Sequence, residues 1–207
     1  MSDTTFTYGE TSDAFRFASH WWRSIVGAID GELWDAPGLG EWTIRELVAH
    51  TNRAYKTVMQ YLVADPVDET PIATAAQYFR VVLAEETPHV HIAARAKTDA
   101  AEVDDWISET DSLAQRCEKL IADTPGDAPC HLMVGVMALD QYLATRVVEL
   151  VVHGLDLAAA ISLEVNAPPA SASVALRVMF DLTDDADVTV LLRSLSGRST
   201  HPINVLR

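Results

Sequence analysis

Cysteine is nearly absent from this chain: Cys117 and Cys130 are the only two in 207 residues. Neither belongs to a Cys-x-x-Cys pair, which excludes a cysteine-built zinc site, and two such isolated thiols read as buried or idle, not as a disulfide. Basic residues are also scarce. Fifteen Lys and Arg against thirty Asp and Glu leave a formal charge of −15 and a pI near 4.7. So acidic a surface repels phosphate backbones and excludes general nucleic-acid binding. No stretch supplies the roughly 18 uncharged apolar residues that a membrane span requires. The opening MSDTTFTYGETSD lacks the basic and apolar regions of a secretory leader. The chain therefore reads as cytoplasmic, with no membrane partner. Alternation strong enough for a sheet is missing from the first 160 residues, and no repeat is visible.

What is present is helical periodicity. With 49% hydrophobic and 22% charged residues, the composition is that of a folded globular chain. Phe15, Trp22, Ile25, Val26 and Ile29 give an apolar stripe to a first helix over 12–30, with His20 on its surface or at a cap. The glycine-rich stretch GELWDAPGLGEW stops it. A second helix opens at Thr43, whose Thr-x-x-Glu pairing with Glu46 forms a capping box, and Asp65-Pro66 closes it. His50 falls on its inward face, near Leu47 and Val58. The segment 70–98 is expected to begin with a helix over IATAAQYFRVVLAEE. A third long helix is expected over 100–122, with Val103, Trp106, Ile107, Leu113, Cys117, Leu120 and Ile121 on its buried side. TPGDAPCHLMVG then reads as a connection, and a fourth helix begins within MVGVMALD. Past Ser162 the pattern shortens to two helices, SASVALRVMFDL and ADVTVLLRSLSGR, the latter ending at Gly197. The architecture expected is an all-α, antiparallel four-helix bundle over 1–163, with a short C-terminal extension over 164–207.

The fourth helix, 139–161, holds the chemistry. It is apolar nearly all round, so it reads as buried, yet Arg146, Glu149, His153 and Asp156 recur at spacings of three, four and three. At about 100° per residue that spacing lines all four along one side. Burying such charges demands a partner, a proton or a metal. Two arrangements meet the demand: an ion pair between Glu149 and His153 (or Arg146 and Glu149), or a metal site in which Glu149-x-x-x-His153 supplies two ligands. A third ligand would come from another element, and His50 is the best-placed candidate. Two histidines and a glutamate leave a coordination position open, as catalytic zinc sites do. Cys130-His131 and His89-Val90-His91 are weaker ligand candidates in Pro-flanked stretches.

GEWTIRELVAHT, followed about a hundred residues later by RVVELVVHGLDLA, resembles the mycothiol-dependent maleylpyruvate isomerase family, part of the DinB-like superfamily of metal-binding four-helix bundles. The likeness spans residues 10–162. The resemblance implies that His50, from the W-x-x-x-x-L-x-x-H segment, and Glu149 and His153, from E-x-x-x-H, bind zinc. Nickel or manganese would also suit this ligand set. It further implies mycothiol as co-substrate: a metal-bound thiolate adds to the double bond of maleylpyruvate, and rotation and elimination give fumarylpyruvate. Arg146 would hold a carboxylate of substrate or thiol, or else pair with Glu149. Asp156 would accept the second ring N–H of His153, or remain a helix-surface charge. The two-domain isomerase carries a larger α/β domain after the bundle. Here residues 162–207 follow, and Arg193 and Arg198 within them are candidates for engaging the thiol. The function expected is isomerisation of, or S-transfer to, a small electrophile. The alternatives are a metal-dependent hydrolase on the same bundle and a non-catalytic binding or stress protein. The bundle class also admits a homodimer.

Overall fold

A computed structural model describes residues 3–66, 70–84, 103–198 and 204–206. Its helices are α1 (Tyr8–Val26), α2 (Ile44–Thr51), α3 (Arg53–Tyr61), α4 (Ala75–Leu83), α5 (Trp106–Ala122), α6 (Leu139–Ala160), α7 (Pro169–Asp181) and α8 (Asp185–Leu195). Two small antiparallel strand pairs accompany them: β1 (Pro37–Leu39) with β2 (Trp42–Thr43), and β3 (Pro129–Leu132) with β4 (Gly135–Ala138). The architecture is an all-α, DinB-like bundle. Its walls are α1, the α2–α3 pair, α5 and α6.

α6 is the central element. It packs against α1, α2, α3, α4 and α7, and residues from Leu139 to Ala158 are buried on almost every side. Leu155 departs from that pattern and is exposed. The approach of α1 to α6 depends on Gly154: a Cβ there would come within 2.2 Å of the Trp21 ring. A glycine inside a helix costs about 1 kcal/mol relative to alanine, and the close approach of an indole offsets that cost.

Buried hydrogen bonds tie the walls together. Trp22 Nε1 donates to Asn52 Oδ1 at 3.0 Å, and Asn52 Nδ2 donates to Thr110 Oγ1 at 2.7 Å, which joins α1, the α2–α3 junction and α5. Tyr142 on α6 donates to Thr57 Oγ1 on α3 at 2.8 Å. The expected single second helix is therefore two. It breaks at Asn52, a fully buried polar residue committed to tertiary partners instead of a continuous helix face.

Local caps explain the other shifted boundaries. α1 starts at Tyr8, not Ser12, because Thr7 and Glu10 form a capping box; it ends at Val26, and Asp30 caps a 3₁₀ turn instead. α5 starts at Trp106 because Asp105 accepts from the N–H groups of Ile107 and Ser108; Ile107, expected on the buried side, is exposed in this first turn. α4 occupies the helical part of 70–98; the remainder, with His89 and His91, lies outside the described residues.

The stretch read as a plain connection is half hairpin. Cys130, Leu132, Gly135 and Met137 point inward in alternation over two four-residue strands, too short a run to stand out by period. Gly135 is obligatory there: its φ is +141° and a Cβ would meet the Thr70 carbonyl at 2.3 Å. Past Ser162, α7 sends Ser171, Val174, Ala175 and Val178 into the same core, and Ser171 donates to the Ala14 carbonyl at 2.7 Å. α8 ends in a Schellman turn at Gly197, where φ is +70° and the Arg198 N–H bonds to the Arg193 carbonyl. No described helix is long and apolar enough to cross a membrane.

Candidate metal centre

Two helices bring the site together. The Thr43–Glu46 capping box fixes the start of α2, with Thr43 N–H donating to Glu46 at 2.9 Å and Glu46 N–H to Thr43 at 3.2 Å. One turn and a half later His50 reaches the last turn of α2, under the ring of Trp42, whose centroid lies 4.6 Å from its own. α6 presents Glu149 and His153 one turn apart. The imidazoles of His50 and His153 meet edge to face with centroids 5.0 Å apart. Glu149 Oε2 sits between them, 3.9 Å from His50 Nε2 and 3.4 Å from His153 Nε2. Ligand atoms of these three residues all lie within 4.8 Å of one another. Among the described residues they form the one group of His, Cys, Asp and Glu so placed.

The remaining ring nitrogen of His153 is anchored. Nδ1 faces Asp156 Oδ2 at 3.1 Å, so the carboxylate fixes the proton on Nδ1 and turns Nε2 toward Glu149. His50 has no such anchor among the described residues: its Nδ1 is buried and finds no hydrogen-bond partner there. Packing against Trp42 stands in for one.

Protonation follows from these contacts. Burial pushes His50 down to about 4, and the nearby His153 charge adds to the effect. Burial opposes the charged ring of His153, but its bonds to Asp156 and Glu149 outweigh it and lift the ring to about 9. Burial likewise favours the neutral acid of Glu149; the His153 hydrogen bond and the Arg146 charge prevail and hold it at about 2. With no ion bound, a neutral His50 thus faces an imidazolium–carboxylate pair. The same geometry suits an ion pair between Glu149 and a protonated His153, and it suits a divalent ion held by all three side chains.

Arg146 lies on the same side of α6, 7% exposed. Its Nε donates to Thr145 Oγ1 at 3.0 Å and its Nη2 to the Tyr78 hydroxyl at 3.4 Å, while Glu149 Oε1 is 3.9 Å away. The guanidinium lies 4.8 Å from the Tyr142 ring centroid.

The other candidates stay apart from this cluster. Cys130 is fully buried in β3, its thiol pushed up by burial to about 12, and His131 is its half-buried neighbour. His20 is exposed on α1. Arg193 and Arg198 are exposed on and after α8, and no hydrogen bond or ion pair joins either to the cluster among the described residues. Trp42, Tyr78 and Tyr142 were not legible as site residues. Trp42 alone carried a signal, since it precedes a helix cap, where an apolar side chain folds back over the first turns.

The model of the mycothiol maleylpyruvate isomerase N-terminal domain matches residues 15–158. That span runs from within α1 to near the end of α6 and contains all three residues of the cluster. No curated protein and no solved structure matches the chain. The chain belongs to the mycothiol maleylpyruvate isomerase N-terminal domain family, a mycothiol-related, metal-binding group with the DinB-like bundle fold.

Proposed function

We propose that the protein is a divalent-metal-dependent enzyme that uses a low-molecular-weight thiol, mycothiol, to isomerise a small electrophile or to form a thioether with it by S-transfer. His50, Glu149 and His153 hold the ion, which is zinc or a related ion such as nickel or manganese. The observation that supports this reading is the convergence of two imidazoles and one carboxylate, with His153 backed by Asp156. Such a set leaves a position for an exchangeable ligand. When bound there, a divalent ion supplies a Lewis-acid position that favours thiolate over thiol near neutral pH.

The chain's own side chains do the rest. Asp156 keeps the His153 proton on Nδ1, so that Nε2 is the ligand nitrogen. Trp42 holds the ring of His50 in place. Arg146 offers a planar fork of donors suited to a carboxylate on substrate or thiol. The chain's own cysteines do not supply that thiolate: Cys117 and Cys130 are buried, and burial raises both thiols.

The test is turnover of maleylpyruvate by metal-loaded protein with and without mycothiol. The expected result is fumarylpyruvate formed only with the thiol, and activity lost in His50→Ala. Turnover independent of thiol would instead assign the metal to activating water for hydrolysis. Folded protein that takes up no zinc would leave the cluster as an ion pair in a non-catalytic bundle.

A further inference from the structure

Arg146 is a buried charge with few partners. Of the five N–H donors in a guanidinium, Nε is used by Thr145 and one on Nη2 makes a long contact to the Tyr78 hydroxyl. Among the described residues the nearest carboxylate oxygen, on Glu149, remains at 3.9 Å. The rings of Tyr142 and Tyr78, with centroids 4.8 and 5.6 Å from the guanidinium carbon, flank it. A leucine or methionine here would fill the same interior at no desolvation cost, so a guanidinium kept here with no carboxylate in hydrogen-bond range among the described residues points to an anionic ligand.

The two tyrosines differ. Tyr142 is buried and its O–H is spent on Thr57. Tyr78, on α4, is half-buried; its oxygen accepts from Arg146, and its own O–H has no acceptor among the described residues. The Tyr78 hydroxyl and the Arg146 guanidinium therefore lie side by side, with a Glu149 oxygen 3.9 Å from the guanidinium. Charge agrees with this. With a divalent ion on the cluster, Glu149 and Asp156 cancel its charge and the guanidinium is left in excess.

We infer that Tyr78 is a substrate-positioning residue: its O–H and the free Nη donors of Arg146 together take one carboxylate of a small anionic ligand beside the metal position. The inference rests on the proposed function and adds a third helix, α4, to the site. Tyr78→Phe is the informative variant, because it keeps the ring against Phe79, Tyr142 and the guanidinium and removes only the hydroxyl.

The experiment loads wild type and Tyr78→Phe with cobalt(II) and titrates each with imidazole, a neutral metal ligand, and with maleate, followed by the visible spectrum of the ion. The expected result is equal cobalt content, equal imidazole affinity, and maleate binding weakened roughly ten-fold in Tyr78→Phe, the size of one hydrogen bond to a charged group. Maleate binding unchanged in the variant would overturn the inference and leave the metal centre standing. Imidazole and maleate weakened alike would also overturn it, since a structural role predicts that. A wild type that binds no cobalt would overturn both the inference and the function beneath it.

Discussion

At pH 7 the three side chains of the cluster begin from different protonation states, and metal binding must reconcile them. Glu149, held at about 2, is already ionised, and His50, held at about 4, is already neutral. His153, lifted to about 9, carries the one proton that an ion must displace from the ligand set. Zinc binding at pH 7 is therefore expected to release about one proton per ion, and affinity should rise with pH until about 9 and level off above it. Calorimetry in buffers of different ionisation enthalpy measures the release; a heat independent of buffer would contradict it. Asp156→Asn removes the anchor on Nδ1 and should cost about 10–100-fold in metal affinity. In the metal-free protein the sign of the linkage is fixed by the same group. His153 has a folded value above its unfolded one, so its contribution to stability is full below about 6.5 and is lost as pH rises through about 9. Thermal unfolding of metal-free protein across that window reads the loss directly.

Among the elements, the contact that aligns α6 is the one between Gly154 and Trp21, next to His153 in sequence. Gly154→Ala would place a methyl inside the indole, 2.2 Å from its nearest carbon. Overpacking of this kind costs about 1–3 kcal/mol, and denaturant unfolding should show it as a lower midpoint with reduced zinc affinity. The variant unfolding at the wild-type midpoint would mean that the helices part there freely. The Asn52 junction predicts a comparable effect. Asn52→Ala orphans the Trp22 Nε1 donor and removes the donor to Thr110 Oγ1, and leaving a buried donor unpaired costs about 1–3 kcal/mol. These elements also mark where sequence stops informing. Glu149, His153 and Asp156 share one helix, so their alignment follows from 3.6-residue geometry and could be read in advance. His50 could be placed inward by the stripe around it. Asn52 looks like any polar residue on a helix, and its role is set by Trp22 and Thr110, which are 30 and 58 positions away. The hairpin at 129–138 alternates over too few residues to register, and Tyr78 meets Arg146 across 68 positions. Tertiary partners decided each of these, and periodicity carries no information about them.

For the whole molecule, the bundle buries one continuous core into which α7 also packs, and the cluster is set between α2 and α6 within it. An ion that binds the folded state alone stabilises the entire fold, by about 2.7 kcal/mol at a hundred times its Kd. Zinc should therefore raise the melting temperature of wild type and leave that of Glu149→Gln unchanged, since the amide lacks the charge that completes the set. Equal shifts in both would place the binding elsewhere on a surface whose net charge of −15 attracts cations nonspecifically. The most direct measurement is elemental analysis of protein purified without a histidine tag, alongside His50→Ala and His153→Ala. About one divalent ion per chain in wild type, and none in either variant, is the result predicted from His50, Glu149 and His153. Wild type that carries no ion and takes up none when zinc is added would contradict it.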